Sequence, residues 1–94
     1  VALLAVSGTA AAGMNYMETI SSSVSVKLPA SPSAGDVVYI KAGAGVDPTA
    51  SPVADITIEC QGDHKVDNEA AVVLESPYGS VGLIYVTTNL WRII

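Results

Sequence analysis

Apolar and polar positions alternate with a period of two along much of this chain. The pattern is clearest where Val24, Val26 and Leu28 interleave with Ser23, Ser25 and Lys27, and where Ile56, Ile58 and Cys60 interleave with Thr57, Glu59 and Gln61. Successive side chains of an extended strand point to opposite faces, so each run predicts a strand with one face buried and one in water. Asp36–Ala42 and the wholly apolar Ala71–Leu74 predict two more. The runs are separated by strong breaks. Pro29–Asp36 holds two prolines and Gly35, and Gly43–Pro52 holds two glycines and two prolines. Proline removes a ladder donor and glycine permits a tight reversal, so neither stretch continues a strand. Gln61–Asn68 is the most polar segment, with Val66 as its lone apolar anchor.

The densest apolar stretch is Gly79–Ile94. Leu83 and Tyr85 fall on one face of a strand and Ile84 and Val86 on the other, which suits a strand apolar on both sides. Thr87–Asn89 supplies a short polar break in which Asn89 is best able to adopt a positive φ, and Leu90–Ile94 resumes extended. A β-hairpin is predicted. With turn signals throughout and no sustained helical period, the chain reads as all-β: a compact sandwich or jelly-roll-like domain of about eight short antiparallel strands. Residues 21–94 form this domain, and residues 1–20 an N-terminal arm or first strand.

Composition adds a requirement for company. Hydrophobic residues make up 50% of the chain and charged residues 14%, whereas soluble domains carry about a quarter charged residues. A domain of 94 residues cannot hide such a surplus by itself, and a homo-oligomer, most simply a trimer, is expected. The first charge is Glu18, so the uncharged stretch before it should lie against a neighbour. Val1, Leu3, Leu4 and Val6, with Ile93 and Ile94, are the candidate interface residues. The net charge of −5 gives no electrostatic footprint for nucleic acid and no polybasic patch for a membrane surface. Val1–Val6 lacks a basic flank and is far shorter than the roughly twenty apolar residues of a membrane span. Cys60, the single cysteine, has no internal disulfide partner and reads as a small buried hydrophobe.

Catalytic and metal-binding patterns are not legible. His64 stands near Asp63, Asp67 and Glu69, but a general base or a metal site needs further groups held by the same scaffold, and the segment reads as a solvated turn in which His64 is dispensable. The acids lack the regular spacing of a calcium loop. Ser21–Ser23 has no nucleophile-elbow glycines, and Gly43 and Gly45 precede no helix. No enzyme activity, cofactor or metal is expected. Because the chain has no Phe, Tyr85 and Trp91 are expected in the core. Tyr78, inside Ser-Pro-Tyr-Gly, is the candidate exposed aromatic for binding a sugar.

The ordered series SVSVKLPASPSAGDVVYIKAG, ITIECQG and AAVVLESPYGSVGLIYVTTNLWRII resembles a small β module of tailed-bacteriophage structural proteins, found in fibre and tailspike tips and in small head proteins. The features shared are a Val/Thr strand ending in Leu-Pro, a Gly-Asp turn into an apolar strand, an Ile-Thr-Ile strand followed by Gly, and a terminal Tyr/Trp hairpin. Leu90 before Trp91 and the Gly43–Pro52 loop depart from it, and the first twenty residues lie outside it. The resemblance implies a non-enzymatic virion component assembled in the host cytoplasm. Read as a complete short protein, the chain is expected to be a capsid decoration (cement) protein whose partners are itself and the major capsid protein or other virion proteins. The alternative is a tail-fibre or tailspike tip that binds a host receptor or glycan.

One stability contrast follows from the pattern. Trp91→Ala should cost about 3–5 kcal/mol and Tyr78→Ala roughly half a kcal/mol or less, a difference checked by comparing denaturant midpoints.

Overall fold

The computed structural model describes residues 1–18 and 20–94. Nine strands occur among the described residues: β1 (Ala2–Leu3), β2 (Gly13–Met17), β3 (Val24–Lys27), β4 (Val37–Ala42), β5 (Ile56–Glu59), β6 (Lys65–Val66), β7 (Ala71–Leu74), β8 (Ser80–Thr87) and β9 (Leu90–Ile93). The larger sheet has six strands in the order β1-β2-β4-β8-β9-β6, and the smaller has three in the order β3-β5-β7. The all-β class read from the sequence is the class observed. Both sheets turn one face toward a single core. Met17, Val38, Ile40, Ala42, Leu83 and Trp91 come from the larger sheet, and Val26, Ile56, Ile58 and Leu74 from the smaller. Each large apolar side chain fully buried there contributes about 1.5–3 kcal/mol.

Strand direction departs from the expectation of antiparallel pairing throughout. β1–β2, β2–β4, β3–β5 and β6–β9 are parallel, while β4–β8, β5–β7 and β8–β9 are antiparallel. The reason lies in the route of the chain. From β2 to β8 it alternates between the sheets, so a strand of one sheet serves as the crossover for the other. Parallel neighbours need a crossover of about a dozen residues, and here that role falls to strands instead of helices. Among the described residues only β8 and β9 form a hairpin of consecutive strands. Their loop, Thr88–Asn89, has φ of 28° and 64°, the doubly positive pair that a two-residue hairpin loop requires.

The described residues of the N-terminal segment are not a free arm. Between the two strands that the N-terminal segment gives to the larger sheet, Ser7–Ala10 crosses to the exposed edge of β3. There Ser7 N–H donates to Ser25 O at 2.9 Å, Lys27 N–H to Gly8 O at 3.0 Å and Ala10 N–H to Lys27 O at 2.8 Å. Leu4, Ala10, Met17 and Ile20 join the common core. The segment belongs to both sheets, which accounts for its lack of charge.

Asn15 secures that crossing. It is 1% exposed, and a buried amide is costly unless its polar atoms find partners. Its Oδ1 accepts from Ala11 N–H at 2.9 Å, and its Nδ2 donates to Ala11 O at 2.8 Å, Gly13 O at 3.2 Å and Tyr39 O at 3.1 Å. One side chain thus ties the incoming turn to β2 and to β4. In the loop before β5, Asp47 plays a smaller local part. Its carboxylate accepts from the Thr49 hydroxyl at 2.7 Å and from the Thr49 amide at 2.9 Å, and these bonds hold its pKa below the ordinary carboxylate value.

Replacing Asn15 with Ala leaves the Ala11 and Tyr39 main-chain groups without their side-chain partner. The expected loss is about 1–3 kcal/mol, read as a lower unfolding midpoint. Ala12→Ser, one turn residue away and exposed, is expected to leave the midpoint within about half a kcal/mol.

Candidate functional site: the outer face of the larger sheet

The inner face of the larger sheet faces the core, and register determines what stands on the other. Met14 is the partner of Tyr39, and Tyr39 of Gly82. Beyond Gly82, the Ile94 amide donates to Gly82 O at 2.9 Å, which places Ile94 next along the same row. Gly82 has a steric reason to be glycine. A Cβ there would stand 2.8 Å from the Tyr39 ring and 3.0 Å from the Ile94 side chain, so its absence lets ring and isoleucine close over the strand from both sides. Met14, Tyr39 and Ile94 are 44%, 41% and 62% exposed. The neighbouring row pairs Val37 with Ile84 and Ile84 with Arg92. A row on the other side pairs Leu3 with Tyr16 and Tyr16 with Lys41.

The result is a broad apolar face on one sheet with polar groups at its margins. Along one margin the Tyr16 hydroxyl donates to the Glu18 carboxylate and Lys41 Nζ donates to Tyr78 O. The Glu18 hydrogen bond, aided by partial desolvation and the Glu18 charge, raises the Tyr16 phenol above its ordinary range. Along the other, Arg92 pairs with Asp67 at 3.3 Å, both half-exposed. Isolated surface hydrophobes are ordinary, but a contiguous set rimmed by polar residues marks an interaction surface.

Two of the sequence-predicted interface residues bear directly on this face. Leu3, exposed, and Ile94 stand at its two ends, joined by residues that sequence reasoning did not select: Met14, Tyr39 and Ile84. Leu4 points the opposite way, into the core, because successive strand residues alternate. Its amide donates to Tyr16 O at 2.8 Å, so it is a packing residue and its side chain is closed to a partner in this fold. Ile93 is the partner of buried Leu83 and so faces away from Ile94. Val1 and Val6 are exposed beside β1 but outside the paired strands. Tyr78 is 63% exposed, on a turn where it adopts a φ of 57°. The missed residues had a signal. In Val37–Lys41 and in Val81–Val86 both strand faces are apolar, and the half of each pattern not needed by the core becomes the outer face.

His64 differs from the solvated turn residue that the sequence suggested. It is half-buried, its Nδ1 accepts the Trp91 indole N–H at 3.4 Å, and its ring lies 5.4 Å from that of Tyr85. Tyr85 in turn meets Trp91 edge-on at 5.3 Å. Among the described residues no group of three or more His, Cys, Asp or Glu is placed to hold a metal ion. Cys60 is partly buried, and that burial raises its thiol pKa, with Lys65 opposing only in part.

His64→Ala is therefore expected to destabilise the fold by about 1–3 kcal/mol, since the indole N–H of fully buried Trp91 loses its acceptor. Asp63→Ala, next to it on the exposed turn, should change stability by no more than about half a kcal/mol. Chemical denaturation followed by Trp91 fluorescence distinguishes the two.

No protein-family model matches the chain, and no curated protein matches it either.

Proposed function

We propose that the chain is a non-enzymatic structural subunit of a tailed-phage virion, a capsid decoration protein that trimerises and seats on the shell. The observation that carries this reading is the outer face of the larger sheet. A sheet needs one apolar face to build a core; a second one, running from Leu3 through Met14 and Tyr39 to Ile94, serves contact with another molecule. A stable protein–protein interface takes about 800 Å² from each partner, roughly a sixth of the 4925 Å² that this chain exposes. The broad sheet face suits that size better than a terminal arm would. The resemblance of residues 21–94 to phage structural modules supplies the setting, with the major capsid protein or another virion protein as the second partner.

A second reading, a fibre-tip or tailspike module that binds a host glycan, is favoured by Tyr78. Its exposed ring stands on a turn pinned by Lys41 at its carbonyl, a setting in which an aromatic can stack on a sugar. Copy number separates the two readings. Quantitative mass spectrometry of purified particles should find hundreds of copies for a decoration protein and a few dozen or fewer for a fibre.

For the assembly itself, sedimentation at micromolar concentration should give a trimer. Tyr39→Asp should weaken association by about 30-fold or more, the effect of losing a central aromatic anchor worth at least about 2 kcal/mol, while the unfolding midpoint of the separated chain changes little. A wild-type chain that sediments as a stable monomer would refute the proposal.

A further inference from the structure

The smaller sheet ends on β7, and β7 is open. Cys60 N–H donates to Ala70 O at 3.0 Å, and Ile58 and Ile56 are the register partners of Val72 and Leu74. In an antiparallel ladder the bonded pairs alternate, so Val72 and Leu74 bond to β5 while the amides and carbonyls of Ala71 and Val73 point away from it. Among the described residues none supplies a hydrogen bond to those groups. Two of the other sheet edges are closed among the described residues. Ser7–Ala10 covers β3, and β6 is closed by Glu69, whose N–H and C=O exchange bonds with Val66 at 2.7 Å each.

Free strand edges usually carry a device that blocks pairing, such as an inserted proline, a bulge or a lysine. β7 is four residues long, regular and apolar. Its only guards are charges. Glu69 and Glu75 stand exposed at its two ends, and Glu59 is the register partner of Ala71. Lys27 lies beyond β5, as the partner of Glu59 on β3. Carboxylates therefore border the open edge, and this decides what can dock. A second copy paired antiparallel about Val72 would set Glu69 opposite Glu75 twice, and like charges placed opposite each other on paired strands repel.

We propose that the free edge of β7 is a docking site for an extended segment of a different protein, added as a fourth strand. Its main chain bonds to Ala71 and Val73, alternate apolar side chains continue the inner face beside Val72 and Leu74, and a Lys or Arg near each end meets Glu69 and Glu75. The site lies on the smaller sheet and does not depend on the outer-face assignment. Its failure would leave trimerisation untouched, and loss of the trimer would leave β7 testable.

The probe is the peptide KVTVTVK, with EVTVTVE as its charge-reversed counterpart, added to the full chain at low ionic strength. KVTVTVK should slow amide exchange at Ala71 and Val73 by about tenfold or more at saturation, with Val72 and Leu74 already slow in its absence. EVTVTVE should bind at least about tenfold more weakly, and the gap should narrow in molar salt. Val73→Pro, which removes an outward N–H, should abolish the protection. Glu69→Lys combined with Glu75→Lys alters only exposed side chains and should reverse the preference toward EVTVTVE. The proposal is overturned if KVTVTVK gives no slowing at Ala71 and Val73, if both peptides bind alike, or if those amides become protected in the peptide-free protein as its own concentration rises.

Discussion

The fold depends on one segment serving two sheets. Two parallel β layers with a common core have only apolar contact to keep them in register, and such contact is non-directional. Here the segment before β3 adds directional bonds: it gives two strands to the larger sheet and in between closes the edge of β3. Asn15 makes the crossing specific, because its four hydrogen bonds can all form only when the Ala11 turn, β2 and β4 stand in one arrangement. Residue Asn15 is buried, polar and fully partnered, and it selects one packing of the layers from the many that a greasy core would allow.

The hairpin of β8 and β9 answers this from the other end of the chain. Trp91 fills the core, Tyr85 meets its edge, and His64 brings the polar Gln61–Asn68 turn down onto both. The hydroxyl of Tyr85 also accepts from the Asn89 amide at 2.8 Å, so the aromatic cluster anchors the hairpin loop. With its inner face occupied in this way, the larger sheet has only its outer face to offer another molecule. The proposed virion role uses that face, and the docking edge of β7 belongs to the other layer.

Much of this was legible in the sequence, for reasons that can be named. A period of two cannot be mistaken over Val24–Leu28 or Ile56–Cys60, and the same residues are in the core of the structure: Val26, Leu28, Ile56 and Ile58 are fully buried. The hairpin was readable because a polar triplet ending in Asn89 divides two apolar runs, and Asn89 takes the positive φ. Strand direction was not, since hydrophobic alternation is the same whichever way the neighbour runs. The N-terminal segment misled for a related reason. An uncharged stretch looks alike whether a partner covers it or the chain's own second sheet does. Leu3 and Leu4 are adjacent and chemically identical, yet one is exposed and the other buried, and only register separates them. His64 was missed because its partner Trp91 is distant in sequence and unites with it only through the parallel pairing of β6 and β9.

The alternation of the chain between sheets also governs the order in which the molecule can be assembled. Nearly every strand pair joins segments separated by another strand, so the entropic cost of closing loops precedes most of the favourable contacts. The exceptions are β1 with β2 and β8 with β9, and β4 waits for β8 to cover its open side. Until β8 and β9 are made, one edge of β4 is open, and the core that holds Val38 and Ile40 lacks Leu83 and Trp91. The larger sheet therefore cannot close until residues 80–93 have been made, and the apolar surface that they cover stays open to other nascent chains until then.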